Sequence, residues 1–185
     1  MNTIGSHLPL FVFSIVIYLL LIVNQDSASA KTAYTNEVND LITKSCSGTK
    51  FPNTCVSILE ADPRSKAATN LKNLSRIAIE ILPEKINEIV SLFTKVEKNV
   101  TDPNSKHNIA ICIKVLCESY YNIKSWGIPD FDSGKYGDVK IDVNSCAISA
   151  IECRDTGTQF FSKEVETLYN FSLDIRNFMD MLSSG

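Results

Sequence analysis

Ile109-Ala-Ile-Cys-Ile-Lys-Val-Leu-Cys-Glu-Ser-Tyr120 and Val139-Lys-Ile-Asp-Val-Asn-Ser-Cys-Ala-Ile-Ser-Ala-Ile-Glu-Cys153 decide the fold. The breaker-rich stretch Trp126-Gly-Ile-Pro-Asp-Phe-Asp-Ser-Gly-Lys-Tyr-Gly-Asp138 joins them. In the first run Ile109, Cys112, Ile113, Leu116, Cys117 and Tyr120 recur at steps of three and four, which is one apolar stripe of a helix. In the second, Val139, Val143, Cys146, Ala150 and Cys153 form a heptad-like seam. Two such helices joined by a turn are expected to lie antiparallel, with cysteines from both facing inward. A disulfide across that seam would lock the core.

Working outward, 185 residues suffice for one domain with a sizeable core. The net charge of -3 argues against a nucleic-acid partner, which would call for a basic face. Met1 to Ala30 reads as a secretory signal peptide: Leu10 to Val23 is apolar, and Ala28-Ser-Ala30 is a small-x-small cleavage site. The run is shorter than the ~20 apolar residues of a membrane-spanning helix, so no membrane association is expected after cleavage. Removal of the leader takes away only Asp26 among the charges, leaving 18 basic against 20 acidic residues. Six cysteines against two histidines, in an exported chain, point to disulfides rather than a metal centre.

The mature chain, Lys31 to Gly185, divides into a small helical hairpin over 31–62 and a larger helical part over 63–185. Glu37 to Ser45 is expected to be a short helix and Val56 to Glu60 a second. Between them lies Cys46-Ser-Gly-Thr-Lys-Phe-Pro-Asn-Thr-Cys55, where Gly48 and Pro52 break the helix and Asn53 or Thr54 caps the next. A bond between Cys46 and Cys55 would close this short loop and stabilise it by roughly 2–3 kcal/mol. From Ala67 to Val100 apolar residues recur at helical spacing, and Pro83 is expected to kink or interrupt that element. Thr101-Asp-Pro-Asn-Ser105 ends it, with Ser105 as the next N-cap. The final run carries Phe161, Val165, Leu168, Ser172, Ile175, Met179 and Leu182. Four long amphipathic helices with short connections predict an all-α, antiparallel up-and-down four-helix bundle preceded by a short N-terminal hairpin.

Catalytic and metal chemistry find no footing. His107 sits at a helix start, where a solvated histidine is the ordinary case. Asp130, Asp132, Asp138 and Asp142 lack the spacing of a calcium loop, and the cysteines lack zinc-finger spacing. No catalytic residue, metal or cofactor is assigned. Trp126, Phe131 and Tyr136 are the side chains of the connecting stretch best suited to anchor a protein partner, or else to cap the bundle end. Asn73, Asn99 and Asn170 head Asn-x-Ser/Thr sequons and are the candidate glycosylation sites.

The cysteine loop, followed by Leu59-Glu-Ala-Asp-Pro-Arg-Ser65, resembles the opening of the plant invertase/pectin methylesterase inhibitor family. Cys117 with Tyr121 four residues on, Tyr136 opening the next helix, and Cys153 followed by Phe160 extend the resemblance over nearly the whole mature chain. It implies a disulfide-stapled four-helix bundle behind a helical hairpin, exported to the cell wall (apoplast) or vacuole. It implies non-covalent blocking of pectin methylesterase or acid invertase, with no enzymatic activity of its own. A non-inhibitory binding or storage protein on the same scaffold is a further possibility. The resemblance also implies bonds Cys46–Cys55 and Cys117–Cys153, leaving Cys112 and Cys146. The pairs Cys117–Cys153 and Cys112–Cys146 would demand helix registers about 18 Å apart, at 1.5 Å rise per residue. Cys112–Cys153 with Cys117–Cys146 fits one register better, and both connectivities stay open. Invertase inhibitors of the family carry Pro-Lys-Phe between the middle helices; the nearest string here is Pro129-Asp130-Phe131. Trp126, Pro129, Asp130, Phe131 and Tyr136 form the candidate partner-binding set.

Overall fold

Asp40, where the description of this computed structural model begins, already lies in a helix; residues 40–156 and 160–184 are described. The expected signal peptide, the chain start from Lys31 and the first residues of the Glu37–Ser45 helix lie outside them. Residues 40–47 are helical (α1) and Pro52–Ala61 form α2. A 3-10 turn at Pro63–Ala67 leads to α3 (Leu71–Glu97), then α4 (Pro103–Asn122). A π-helical turn at Ile123–Gly127 and the short α5 (Ile128–Asp132) follow, then α6 (Tyr136–Asp155) and α7 (Ser162–Ser183). No residue among those described is in a strand.

The helix starts follow from local chemistry. Asn70 accepts the Asn73 N–H at 2.9 Å and so caps α3. Asp102, not Ser105, caps α4 by accepting the Ser105 N–H at 2.7 Å. Pro103 then occupies the first turn, where a missing N–H costs nothing. α2 likewise starts at Pro52, ahead of Asn53 and Thr54, and Phe51 offers it no side-chain cap. Pro83 does not interrupt α3, which runs through it for 27 residues. It is buried, and the packing of a long helix outweighs one lost backbone bond.

α3, α4, α6 and α7 form the bundle, each packed on the next and α7 packed back on α3. Asn108 donates to the Thr156 carbonyl at 2.7 Å and Ser119 to Ser149 at 2.9 Å, which fixes α4 antiparallel to α6. Asn144 with Arg176, and Lys140 with Asp180, do the same for α6 and α7. The core between them holds Leu74, Leu82, Ile86, Phe93, Leu116, Val143, Phe171 and Phe178, all essentially inaccessible. Phe161 enters α7 in a left-handed conformation (φ 58°) that costs a non-glycine residue about 1–2 kcal/mol. Its ring is held edge-on against Phe93 at 5.5 Å. At the corner between hairpin and bundle, Asp62 accepts the Arg64 backbone N–H at 2.8 Å. The Arg64 guanidinium then spans Asp62 and Glu84 of α3, which gives the Asp-Pro-Arg string a structural role.

Candidate docking face

The stretch between α4 and α6 is not a floppy loop. The π turn widens the helix at Ile123–Gly127. Pro129 lies in the first turn of α5, where proline is tolerated, so the supposed breakers sit inside helical turns. The chain reverses only at Gly134, whose φ of 76° favours glycine. Phe131 is 2% exposed, buried in the core and tilted against Tyr136 at 5.3 Å. Burial removes Phe131 from the partner-binding set: it plugs the bundle end, and half-buried Tyr136 packs on it. Arg76 of α3 pins α5 through Asp132 at 2.6 Å, and that guanidinium holds the Asp132 carboxyl below its usual range.

What this end offers to solvent is Trp126, 59% exposed. Its neighbour Gly127 is abutted by Asp142 of α6: a Cβ on Gly127 would lie 3.4 Å from the Asp142 carboxylate oxygen. Ile141, next to Asp142 in α6, is 66% exposed. Ile148, 51% exposed, lies two helical turns further along the same side of α6. Tyr121 is exposed on α4. Four of the five large apolar side chains exposed among the described residues thus belong to α4, α6 and their connection. Sequence patterning missed Ile141 and Ile148; the signal was two isoleucines seven apart, off the stripe of Val139, Val143 and Cys146.

Carboxylates surround the Trp126 end. Asp130 is paired with Lys135 at 3.0 Å and Pro129 beside it is exposed. Burial, then the charges of Asp130 and Asp138, push the Asp142 carboxyl up to about 6. Among the described residues no group of three potential ligands is placed to hold a metal ion. His107 is exposed on α4.

The sulfur chemistry departs from expectation at one bond. Cys46 and Cys55 are bonded, with Cα atoms 5.6 Å apart. Cys117 and Cys153 are not: Cys117 is exposed and Cys153 buried. Cys117 follows Leu116 and so points about 100° around the helix from the core. Ser119 and Ile123 complete the buried stripe in its place. Cys112, on the core side, neighbours Cys153 instead, and that neighbour together with burial raises the Cys153 thiol. Cys146 is wholly buried, its thiol pushed up to about 12 by burial.

Residues 40–178 match the model of the plant invertase/pectin methylesterase inhibitor family. The chain belongs to this family. A pectinesterase inhibitor of Actinidia deliciosa is 27% identical over 145 residues, covering 77% of this chain and 76% of that protein. A putative pectinesterase/pectinesterase inhibitor of Arabidopsis thaliana is 26% identical over 121 residues, which span 60% of this chain and only 12% of that longer protein. The fold is shared with the crystal structure of a pectin methylesterase inhibitor from Arabidopsis thaliana, at TM-score 0.57 and 17% identity over 76% of this chain and 95% of that one. A mutant form of an Arabidopsis pectin methylesterase inhibitor superposes at TM-score 0.63 and 18% identity, over 74% of this chain and 93% of that one. As a member of the family, the chain is an inhibitor-type protein of the pectin methylesterase inhibitor kind, not an enzyme.

Proposed function

We propose that this chain is an exported inhibitor that binds pectin methylesterase one to one and covers its substrate cleft with the outer face of α4 and α6. The observation that carries this is the exposure of Trp126, Ile141 and Ile148, the last two on one side of α6, where Asp142 packs on Gly127. Aromatic and aliphatic anchors of this kind supply most of the energy of a protein interface. A face held by Phe131, Tyr136 and the Arg76–Asp132 pair loses little freedom on docking. Pro129 and Asp130 border it. Asp130 stands in Pro129-Asp130-Phe131 where a lysine would attract the catalytic carboxylates of acid invertase, and it is paired with Lys135.

Met1 to Ala30 serves as the export signal in this proposal, and the mature chain works in the cell wall. Cys112 and Cys153 become the second disulfide on export, since they are neighbours on facing helices; Cys117 and Cys146 do not pair, one being exposed and the other fully enclosed. Asn73 and Asn99 are exposed and can carry sugar, whereas Asn170 is half-buried within α7 beside buried Phe171 and Ser172. The test is to titrate the mature protein against purified pectin methylesterase and acid invertase in parallel. Stoichiometric loss of methylesterase activity alone is expected. Loss of invertase activity alone would reassign the target, and no effect on either enzyme would leave a non-inhibitory scaffold.

A further inference from the structure

At the other end of the bundle a carboxyl group has been placed where water does not reach. Asp174 of α7 is fully buried, and the chain from Thr49 to Phe51 lies over it. One oxygen accepts the Phe51 N–H at 2.7 Å, and one turn further along α7 the Asn177 oxygen accepts the Lys50 N–H at 3.1 Å. These donors lead into α2, which has no side-chain cap of its own, so α7 supplies the cap for the hairpin. The second oxygen of Asp174 is buried and has no hydrogen-bond partner among the described residues. The same seat is completed by the Phe51 ring against Tyr169 at 6.2 Å and by Gly48 against Met181.

Two cations border this seat, since Lys50 and Arg176 line a groove with Gly48, Thr49 and Asn177, but neither forms an ion pair with Asp174 among the described residues. Lys50 lies over the Phe51 ring at 5.5 Å, and Lys44 of α1 is exposed. Arg176 and Asp180 on α7 are held by Asn144 and Lys140 of α6. The α3 charges that reach α7, namely Glu84, Lys85 and Glu88, line a groove with Lys163 and Glu164 near the start of α7. Burial pushes the Asp174 carboxyl up to about 6, against the hydrogen bond it accepts from the Phe51 N–H.

We propose that Asp174 makes the seating of the disulfide-closed hairpin on α7 a proton-dependent latch, closed while the carboxyl is neutral and loosened when it ionises. A neutral carboxyl still accepts the Phe51 N–H through its carbonyl oxygen and leaves only a weakly solvated group in the interior. An ionised one has a buried charge with a bare second oxygen and no cation in ion-pair contact among the described residues, a costly state. Lifting the Cys46–Cys55 loop admits water and relieves it. The hairpin of an exported chain is then held firmly in acidic surroundings and opens more often at neutral pH, whatever the docking face binds.

The test is amide hydrogen exchange of the mature, disulfide-intact protein between pH 4.5 and 7.5, corrected for intrinsic rates, with α3 as internal reference. Protection of residues 46–61 relative to α3 is expected to fall roughly tenfold across that range in the wild type. It should stay level in Asp174→Asn, which keeps an oxygen acceptor and cannot ionise. Hairpin protection that holds or rises with pH in the wild type would overturn the proposal, as would an equal fall in the variant. If the variant does not fold, the carboxyl carbon-13 shift of Asp174 in the wild type decides. A midpoint near 6 supports the latch, and one in the ordinary carboxylate range near ~4 overturns it.

Discussion

The two ends of this bundle are closed by opposite chemistry. At the α5 end an apolar plug, Phe131 on Tyr136, does the closing, and polar groups stay outside as pairs such as Arg76–Asp132 and Lys135–Asp130. At the hairpin end a covalent bond, Cys46–Cys55, closes the loop, and what seats it on α7 is a buried carboxyl taking a backbone N–H. The first closure is an apolar plug and presents a fixed face to solvent; the second turns on a buried titratable carboxyl and presents none. Rigidity in this molecule therefore has two sources, and different substitutions separate them.

The largest expected effect is at the plug. Phe131→Ala removes a buried aromatic ring and is expected to destabilise the fold by about 3–5 kcal/mol, read by denaturant unfolding. A loss below about 1 kcal/mol would mean that α5 is not part of the core. Next comes the hairpin bond: Cys55→Ser is expected to cost roughly 2–3 kcal/mol and to loosen residues 46–61 while leaving α3 to α7 packed. Collapse of the whole bundle in that variant would erase the distinction between the two ends.

A smaller effect comes from pH. The Asp174 carboxyl holds its proton to about 6 in the folded chain, above its ordinary range near ~4. The folded state thus binds more protons than the unfolded one between those limits, and the stability from this group is lost as pH rises through them. The amount is on the order of 2 kcal/mol between pH 4 and 7, measurable as a declining unfolding free energy that Asp174→Asn flattens. Asp142 acts in the same direction, more weakly because it is half-exposed and screened. The smallest change is Arg76→Ala, an exposed ion pair worth less than about 1 kcal/mol.

Most of the bundle is written in the sequence at 3.6-residue spacing, because each long helix buries one stripe. The exceptions lie where a single residue's direction matters more than its spacing. Cys117 sits at the edge of its stripe, and a shift of the buried centre towards Ser119 turns it outward. Gly127 and Pro129 read as breakers, yet one makes room for Asp142 and the other occupies a position that needs no N–H. Asp174 was hidden inside the buried run Phe171–Ile175. An acid on that face was the only hint, and its partner is 123 residues away in the chain. The docking face was half legible: Trp126 could be read, whereas Ile141 and Ile148 emerge once α6 shows which side it leaves uncovered.

The most direct test of the central claim compares wild type with Trp126→Ala in titrations of pectin methylesterase, with Asp174→Asn as a control remote from the face. Stoichiometric inhibition by wild type and by Asp174→Asn is expected at pH 5. Trp126→Ala is expected to bind with at least a roughly tenfold weaker Kd and an unchanged melting temperature. Equal inhibition by Trp126→Ala and wild type would contradict that claim.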